Sequence, residues 1–544
     1  MLAKFVDKFK KINIYQIALV FFILCLLAVN IRWLKWNTAP PAWDQSGYLE
    51  NSQVMYHALT ERGLAGFGKA YTIAFWGVSA PLFSLLPIPF YLIFGNTTKV
   101  VYIPNLIFLI LFNVYLFKLV NLLTKNRAAA LLACLFSSTF PLLIAGSRDI
   151  LVEYFTTTMT VIFIYYLLLN KNFQNKKYNV LLGALLGFGL LFKALFPLYI
   201  ALPTLYILYL ALKEKRNFYD KTIWKSVGLI LAVGGFLAAT WYYKNILYVA
   251  HFAYLASFGA MAKDYSMQVK NFSLLFINYG LSVYYSVLLV LAGFIFLIKK
   301  IKGKEKIFSF NFWLLLFWFL PTVIYFIATN KTLRFLTPFI PVFGIALAIF
   351  LAQILPKATK IVLPVAALLL VFPTYNLLYS SFKSVPGKDI NWGQFVLTRK
   401  YEFLSESGNL VLAPPNNEIW PIEEIVDFIY KDSIWQEESF LVFVTPGIKE
   451  FNLNNFRYYA ALKNYKLLNI LGLPWDSLSS ALAQLKEGQY IVTEIGGRPN
   501  RETYIYKYNP EIQQILDEEK LPYKKIKTFD LPDGSKAAVY KKSL

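Results

Sequence analysis

The chain has 544 residues, 57% of them hydrophobic and only 16% charged, which is more apolar surface than a core of this length buries and excludes a purely water-soluble globule. Its formal net charge is +23, yet from Lys388 onward there are 19 basic and 21 acidic residues, a balance of −2; the positive excess therefore sits in short loops between apolar runs, where it sets topology, and nucleic acid is excluded as its partner. Cys25 and Cys134 both lie inside apolar runs and His57 and His251 are far apart in sequence, which excludes a disulfide framework and a Cys/His zinc site.

Lys4, Lys8, Lys10 and Lys11 precede the first apolar stretch, whose exit, Leu-Ala-Val-Asn-Ile-Arg, lacks a small-residue cleavage site and reads as a retained helix. Runs long enough to cross the hydrocarbon layer are expected near 14–31, 100–122, 128–146, 150–170, 178–193, 195–212, 226–245, 279–298, 308–328, 335–355 and 360–379, about eleven transmembrane helices. Ile73 to Phe94 is apolar but interrupted by Pro81, Pro87 and Pro89, so it reads as interfacial or re-entrant within a long outward loop from Arg32 to Lys99. With a cytoplasmic N-terminus the loops holding Lys125 and Arg127, Lys171 to Lys177, Lys213 to Lys225, Lys299 to Lys306, and Lys357 with Lys360 all fall inside.

That topology leaves six acidic residues facing outward in the membrane half: Asp44, Glu50, Glu61, Asp149, Glu153 and Asp264. Ionisable groups at a bilayer edge are costly unless paired or solvated, so these are candidates for chemistry. Asp44 lies in Pro40-Pro41-Ala42-Trp43-Asp44-Gln45-Ser46-Gly47-Tyr48, where the prolines and Trp43 restrain a carboxylate able to act as a general base; the bland reading is a solvated loop with an interfacial tryptophan. Asp149 and Glu153, in Gly146-Ser147-Arg148-Asp149-Ile150-Leu151-Val152-Glu153, share a face at a helix start, or Asp149 simply caps the helix with Arg148 as ion partner. Lys331 and Arg334, in Asn330-Lys331-Thr332-Leu333-Arg334-Phe335-Leu336-Thr337-Pro338, are cations on the outward side, as is Lys193. They suit a phosphate, or else snorkel to lipid headgroups. The loop from Leu247 to Asn278, with His251, Lys263, Asp264, Tyr265 and Lys270, reads as a lid or as a connector lying on the membrane.

After Pro386 short apolar strands (Leu410 to Ala413, Phe440 to Val444, Lys466 to Ile470, Tyr490 to Glu494) alternate with amphipathic helices (Ile422 to Tyr430, Phe456 to Lys463, Leu478 to Lys486, Pro510 to Glu518). A hairpin, Lys525 to Lys541, turns around Asp533-Gly534. The expectation is an extracytoplasmic α/β domain with a mainly parallel sheet over 383–544, following a transmembrane domain over 1–382. Gly496-Gly497 lacks the spacing of a nucleotide fingerprint and reads as a turn.

Trp43-Asp44 in the first outward loop, Arg148-Asp149 at the turn between the third and fourth helices, and Arg334-Phe335-Leu336-Thr337-Pro338 with Pro341 in a late helix, in this order and on one side, resemble the GT-C superfamily of integral-membrane glycosyltransferases. The resemblance is to the branch of protein O-mannosyltransferases and the bacterial aminoarabinose transferase of lipid A, and covers roughly residues 10 to 350. It implies transfer of a sugar from a polyprenyl-phosphate donor to an outward acceptor with inversion. It further implies Asp44 and Asp149 as the catalytic acids, and Arg148, Glu153, Lys193, Lys331, Arg334, Tyr48 and His251 as the set that binds lipid phosphate or sugar. Gln45 stands where several relatives carry a second acid, which leaves the role of a divalent metal open. The resemblance also implies a bacterial plasma membrane as the location. A transporter of lipid-linked saccharide is the alternative and requires polar groups across the bilayer midplane; a plain membrane anchor requires far fewer helices.

Overall fold

The computed structural model describes residues 14–354, apart from 76, 260–261, 263–265 and 307, and in the C-terminal part residues 390–397, 403–404, 411–412, 414–433, 439–473, 477–496 and 508–543. The expected span at 360–379, the boundary at 382/383 and the residues Lys263, Asp264 and Tyr265 lie outside them.

Among the described residues seven helices are long and apolar enough to cross a membrane: α1 (Ile14–Trp36), α3 (Val100–Thr124), α6 (Val152–Leu169), α8 (Phe196–Glu214), α9 (Lys221–Ser257), α10 (Val283–Lys302) and α11 (Phe310–Ile327). Two bent pairs raise the number to nine among the described residues: α4 (Arg127–Thr139) with α5 (Pro141–Arg148), at 70°, and the turn Leu333–Phe339 with α12 (Pro341–Ile354), at 45°. Each bend falls at a proline, which starts a new helix because it has no N–H to give the old one. The span expected at 178–193 is helix α7 (Lys176–Phe192), which at 17 residues is shorter than any of those seven.

Of those seven, α6 is the most enclosed by protein, 83% of its apolar window being buried; in α1 and α9 that share is 22% and in α10 it is 11%. Their exposed faces carry Phe21, Phe236 and Phe294, which require lipid rather than water. The central helix tolerates Thr156, Thr157, Thr158 and Thr160 because each hydroxyl donates back to the carbonyl four residues earlier, at 2.7–3.1 Å. α7 and α9 cross closely at Gly183 and Gly187. A Cβ added at Gly187 would stand 2.6 Å from the Leu237 side chain and 2.9 Å from the Gly234 carbonyl, the close approach that a Gly-x-x-x-Gly face permits. At the basic-loop end, Asn126, Asn175 and Asp220 cap the starts of α4, α7 and α9 with their side-chain oxygens.

Two connections expected as loops are helical. Asp44–Ala74 forms α2, broken at Gly63 (φ 61°, ψ −157°), a conformation open essentially to glycine. Its polar composition and glycines hid the helix from a reading based on apolar runs. Short helices follow at Leu82–Leu85 and Ile88–Phe94, consistent with the interfacial reading of that proline-rich stretch. α9 runs on to Ser257, so much of the expected lid is a helix extension.

The C-terminal part contains α13 (Ile422–Asp432), α14 (Leu453–Leu462), α15 (Leu478–Leu485) and α16 (Asn509–Asp517) around a sheet of β1 (Phe440–Val444), β2 (Leu468–Leu471), β3 (Tyr490–Ile495), β4 (Tyr523–Asp530) and β5 (Lys536–Lys542). The strand order is β4-β5-β3-β1-β2. β1 pairs parallel with β2 and β3, whereas β5 pairs antiparallel with β3 and β4. The sheet is therefore mixed rather than mainly parallel, because the C-terminal hairpin extends it. The strand expected near Leu410 pairs Val411–Leu412 with Phe403–Leu404 outside this sheet. Tyr458 of α14 is fully buried in the core of the membrane half, so the two parts share packing.

Candidate active site

The first group is built on the turn into α2. Gln45 N donates to Ala42 O at 2.8 Å and Ser46 Oγ to Pro41 O at 2.7 Å, closing the Pro41–Ser46 turn around Trp43. Trp43 has φ +37° and is buried, a backbone that persists only where its surroundings over-determine it. α14 of the C-terminal part supplies the restraint. Asn454 Nδ2 donates to Trp43 O at 3.2 Å, and Asn455 Nδ2 donates to Pro41 O at 2.6 Å and Ser46 Oγ at 2.9 Å. Asn452 holds that helix start in a capping box. Asp44 thus begins a helix, where the dipole favours a carboxylate.

Three further charges meet it. Arg334, in the turn before α12, donates through Nη2 to Asp44 Oδ2 at 2.8 Å, and its Nε lies 3.8 Å from Glu153 Oε1. Lys193, at the C-terminal cap of α7, donates to the same Glu153 oxygen at 2.7 Å. Glu153 is 2% exposed and Asp44 44% exposed, so one acid is internal and the other faces solvent. Arg334 Nε and Glu153 Oε2 are buried with no hydrogen-bond partner, which is expensive unless a ligand or water completes them.

Aromatic rings close the group. Lys193 Nζ sits 4.3 Å from the Phe335 ring centroid and the Arg334 guanidinium 5.3 Å from it. Tyr48 packs edge-on against Phe83, and Phe83 against Phe155, each pair with centroids 4.9 Å apart. Burial, then the Glu153 and Asp44 carboxylates, pushes the Tyr48 phenol up, so it remains a proton-bearing donor. The Tyr199 and Tyr325 hydroxyls, 3.5 Å apart, lie within electrostatic reach of Glu153. Nothing in the sequence marks these two among the 37 tyrosines.

Of the residues expected here, the structure brings together Asp44, Tyr48, Glu153, Lys193 and Arg334. Asp149 and Arg148 form a neighbouring group instead. Arg148 Nε donates to Asn30 Oδ1 at 3.1 Å and lies over Trp33, Asn105 Nδ2 donates to Asp149 O at 2.8 Å, and the Asp149 carboxylate acts electrostatically on Arg148 and Tyr102. The two groups touch through Ile150 N, which donates to Gln45 Oε1 at 3.0 Å. The chain bends at Asp149, where α5 ends, and Glu153, one turn further on, is the acid that meets both Lys193 and Arg334. Lys331 donates to the carbonyls of Phe326 and Ala328 and so caps α11. His251 is exposed on the extension of α9, away from this group. Among the described residues no three His, Cys, Asp or Glu side chains converge to hold a metal ion, and Arg334 itself bridges the two acids.

Residues 78–243 match the family described as dolichyl-phosphate-mannose-protein mannosyltransferase. No curated protein matches the sequence. Among solved structures, the chain resembles ArnT from Cupriavidus metallidurans in the apo state, with 12% identity over 96% of this chain and 98% of that one and a TM-score of 0.57. Against the same protein bound to undecaprenyl phosphate the values are 12%, 95%, 97% and 0.56. The archaeal oligosaccharyltransferase AglB from Archaeoglobus fulgidus, in complex with an inhibitory peptide and a dolichol-phosphate, is 12% identical over 96% of this chain and 74% of that one, with a TM-score of 0.55.

Proposed function

We propose, from the GT-C fold of membrane glycosyltransferases that this integral membrane protein has, that the chain transfers a sugar from a polyprenyl-phosphate carrier to an acceptor at the end of the bundle where Asp44 and Arg334 meet. The observation that carries the reading is the Asp44–Arg334 pair at 2.8 Å with Arg334 Nε buried and unpartnered beside Glu153. A cation held ready with an unspent donor suits an anion that arrives with substrate. The undecaprenyl phosphate in ArnT and the dolichol-phosphate in AglB support a carrier phosphate as that anion.

In this mechanism the carrier phosphate takes Arg334 Nε and Lys193 Nζ, and Glu153 holds both cations in place. Asp44, the exposed acid, accepts the proton of the acceptor nucleophile as its oxygen or nitrogen attacks the anomeric carbon from the face opposite the leaving group. The bond from that carbon to the phosphate oxygen breaks with inversion, and the departing phosphate keeps the electron pair. Preorganised cations in a site shielded from water stabilise that developing charge. The basic loops at the other end of the bundle support a cytoplasmic N-terminus in a plasma membrane, a membrane domain over 1–382 and a soluble domain over 383–544 on the opposite side. Among the described residues of the membrane half the buried charged side chains Arg148, Asp149, Glu153 and Lys331 lie at helix ends, which gives the transport reading no support.

The test is transfer from polyprenyl-phosphate sugars by the reconstituted protein. Asp44→Asn lowers kcat by about 100-fold or more with the fold intact. Undiminished transfer in that variant removes Asp44 as the base, and carrier translocation without transfer across a panel of acceptors refutes the enzyme reading.

A further inference from the structure

The link between α5 and α6, residues 149–151, is buried, and Asp149 and Leu151 in it have extended backbone. Such a link leaves the helical hydrogen-bond ladder, and a buried amide without an acceptor is costly. Two side chains meet it. Asn105 Nδ2, from α3, donates to Asp149 O at 2.8 Å and to Ser147 O at 3.4 Å. Gln45 Oε1, from the second position of α2, accepts from Ile150 N at 3.0 Å. Asn105 is 1% exposed and Gln45 4%, so both bonds are shielded from water. Leu151 gives the start of α6 no side-chain cap, and the placing of that start, with Glu153 as its second residue, falls to the link.

The Gln45 bond closes a circuit through the site. Asp44 is bonded to Arg334 at 2.8 Å, Arg334 lies 3.8 Å from Glu153, Glu153 follows Ile150 by three residues, and Ile150 is bonded to the residue next to Asp44. The starts of α2 and α6 are thus joined through Arg334 and, separately, through Gln45. In the mechanism above Arg334 also takes the carrier phosphate, and a guanidinium shared with a third oxyanion holds its two carboxylates less firmly. The Gln45 bond takes no part in that exchange. Glutamine makes it without adding a negative charge one residue from Asp44, where a second carboxylate would repel the first. Asparagine, shorter by one carbon–carbon bond of about 1.5 Å, does not reach.

We infer that Gln45 is a positioning residue for the proposed transfer: its bond to Ile150 N fixes Asp44 and Glu153 on either side of Arg334, so that the base stays aimed at the acceptor when the carrier phosphate engages Arg334. The inference rests on the transferase reading. The restraint is separate from that of Asn454 and Asn455, which reach Trp43 O, Pro41 O and Ser46 Oγ from the C-terminal part. Gln45 ties the same turn to the membrane half, across 105 positions of sequence.

The test compares the detergent-solubilised full chain with its Gln45→Asn and Gln45→Leu variants by two readouts. The first is hydrogen exchange at the Ile150 amide without donor or acceptor, expected to quicken about tenfold in both variants for the loss of one hydrogen bond. The second is transfer from a polyprenyl-phosphate sugar. There kcat is expected to fall about tenfold or more, while the Kd for the polyprenyl phosphate alone stays within about twofold of the wild type. Ile150 exchange unchanged in both variants overturns the inference, as does an unchanged kcat. So does a loss of carrier affinity in step with kcat, which would give Gln45 a general structural role. Transfer that persists undiminished in the variants counts against Gln45 alone, whereas a wild type that transfers nothing, with Ile150 exchange responding as expected, counts against the transferase reading.

Discussion

Glu153 is the residue on which the site's electrostatics turn. It is a carboxylate at a buried helix start, bonded to Lys193 at 2.7 Å and 3.8 Å from Arg334, and removing its charge leaves two cations facing each other in a medium that solvates neither. Glu153→Gln is expected to cost about 3 kcal/mol, the usual penalty for breaking a buried pair, seen as a fall in Tm. Adding Lys193→Gln removes one stranded cation and recovers most of that stability, but transfer stays low because the carrier phosphate has lost a ligand. Recovery of both would mean that Lys193 serves only to neutralise Glu153. The same group shows how far single residues are readable. Asp44, Lys193 and Arg334 stood out because charges near apolar helix ends are rare, whereas Asp149 and Glu153 are four residues apart on neighbouring turns and only coordinates distinguish the one that meets the cations from the one that meets Asn105 and Arg148.

At the scale of elements, two glycine positions carry much of the architecture. Gly187 allows α7 and α9 to approach until a Cβ would collide with Leu237. Gly187→Val is expected to cost a few kcal/mol, about 1–3 by the usual toll of overpacking, and to lower the Tm of the detergent-solubilised protein; an unchanged Tm would show that the helices separate freely. Gly63→Ala places a side chain at φ +61°, at about 1–3 kcal/mol, and straightens α2. The helices themselves were legible where apolar residues run unbroken or where an asparagine or aspartate caps a start, as at Asn126, Asn175 and Asp220. The helix over Asp44–Ala74 was not, because it is polar, contains Gly47, Gly63, Gly66 and Gly68, and gains its stability from packing against α14 rather than from its own periodicity.

For the whole molecule, the decisive contact is between the two parts. Asn454 and Asn455 hold the turn that presents Asp44, so Asn455→Ala is expected to lower kcat about tenfold while lipid-carrier binding and Tm change little; an equal loss of carrier binding would show a general unfolding of the turn. The α2 face of this contact is sensitive to pH. Burial holds His57 below its ordinary 6.5, and hydrogen bonds from Lys466 and Asn464 hold Glu61 below its ordinary 4.5. Folded values below unfolded ones give stability that is present above the unfolded value and lost as pH falls. Glu50, raised chiefly by burial, acts in the opposite sense from 4.5 upward. The His57 contribution to hydrogen-exchange protection of α2 is therefore expected to fall between about pH 7 and about pH 5, and to be missing in His57→Gln. An identical pH dependence in the variant would assign the effect elsewhere.

The chain by itself determined what local physics can write. Apolar runs dictated a lipid-solvated bundle, lysine-rich turns gathered at one end of it, and alternating strands and amphipathic helices set the α/β character of the C-terminal part, down to the hairpin around Asp533-Gly534. Only the tertiary structure decided which charges meet, that α2 is a helix with an elbow, and that α14 reaches back to the turn at Trp43. The reason is range. Periodicity, caps and turns are settled within a few residues, whereas the bond from Arg334 to Asp44 spans 290 positions and exists only because packing brings together helix ends that carry no mark of one another.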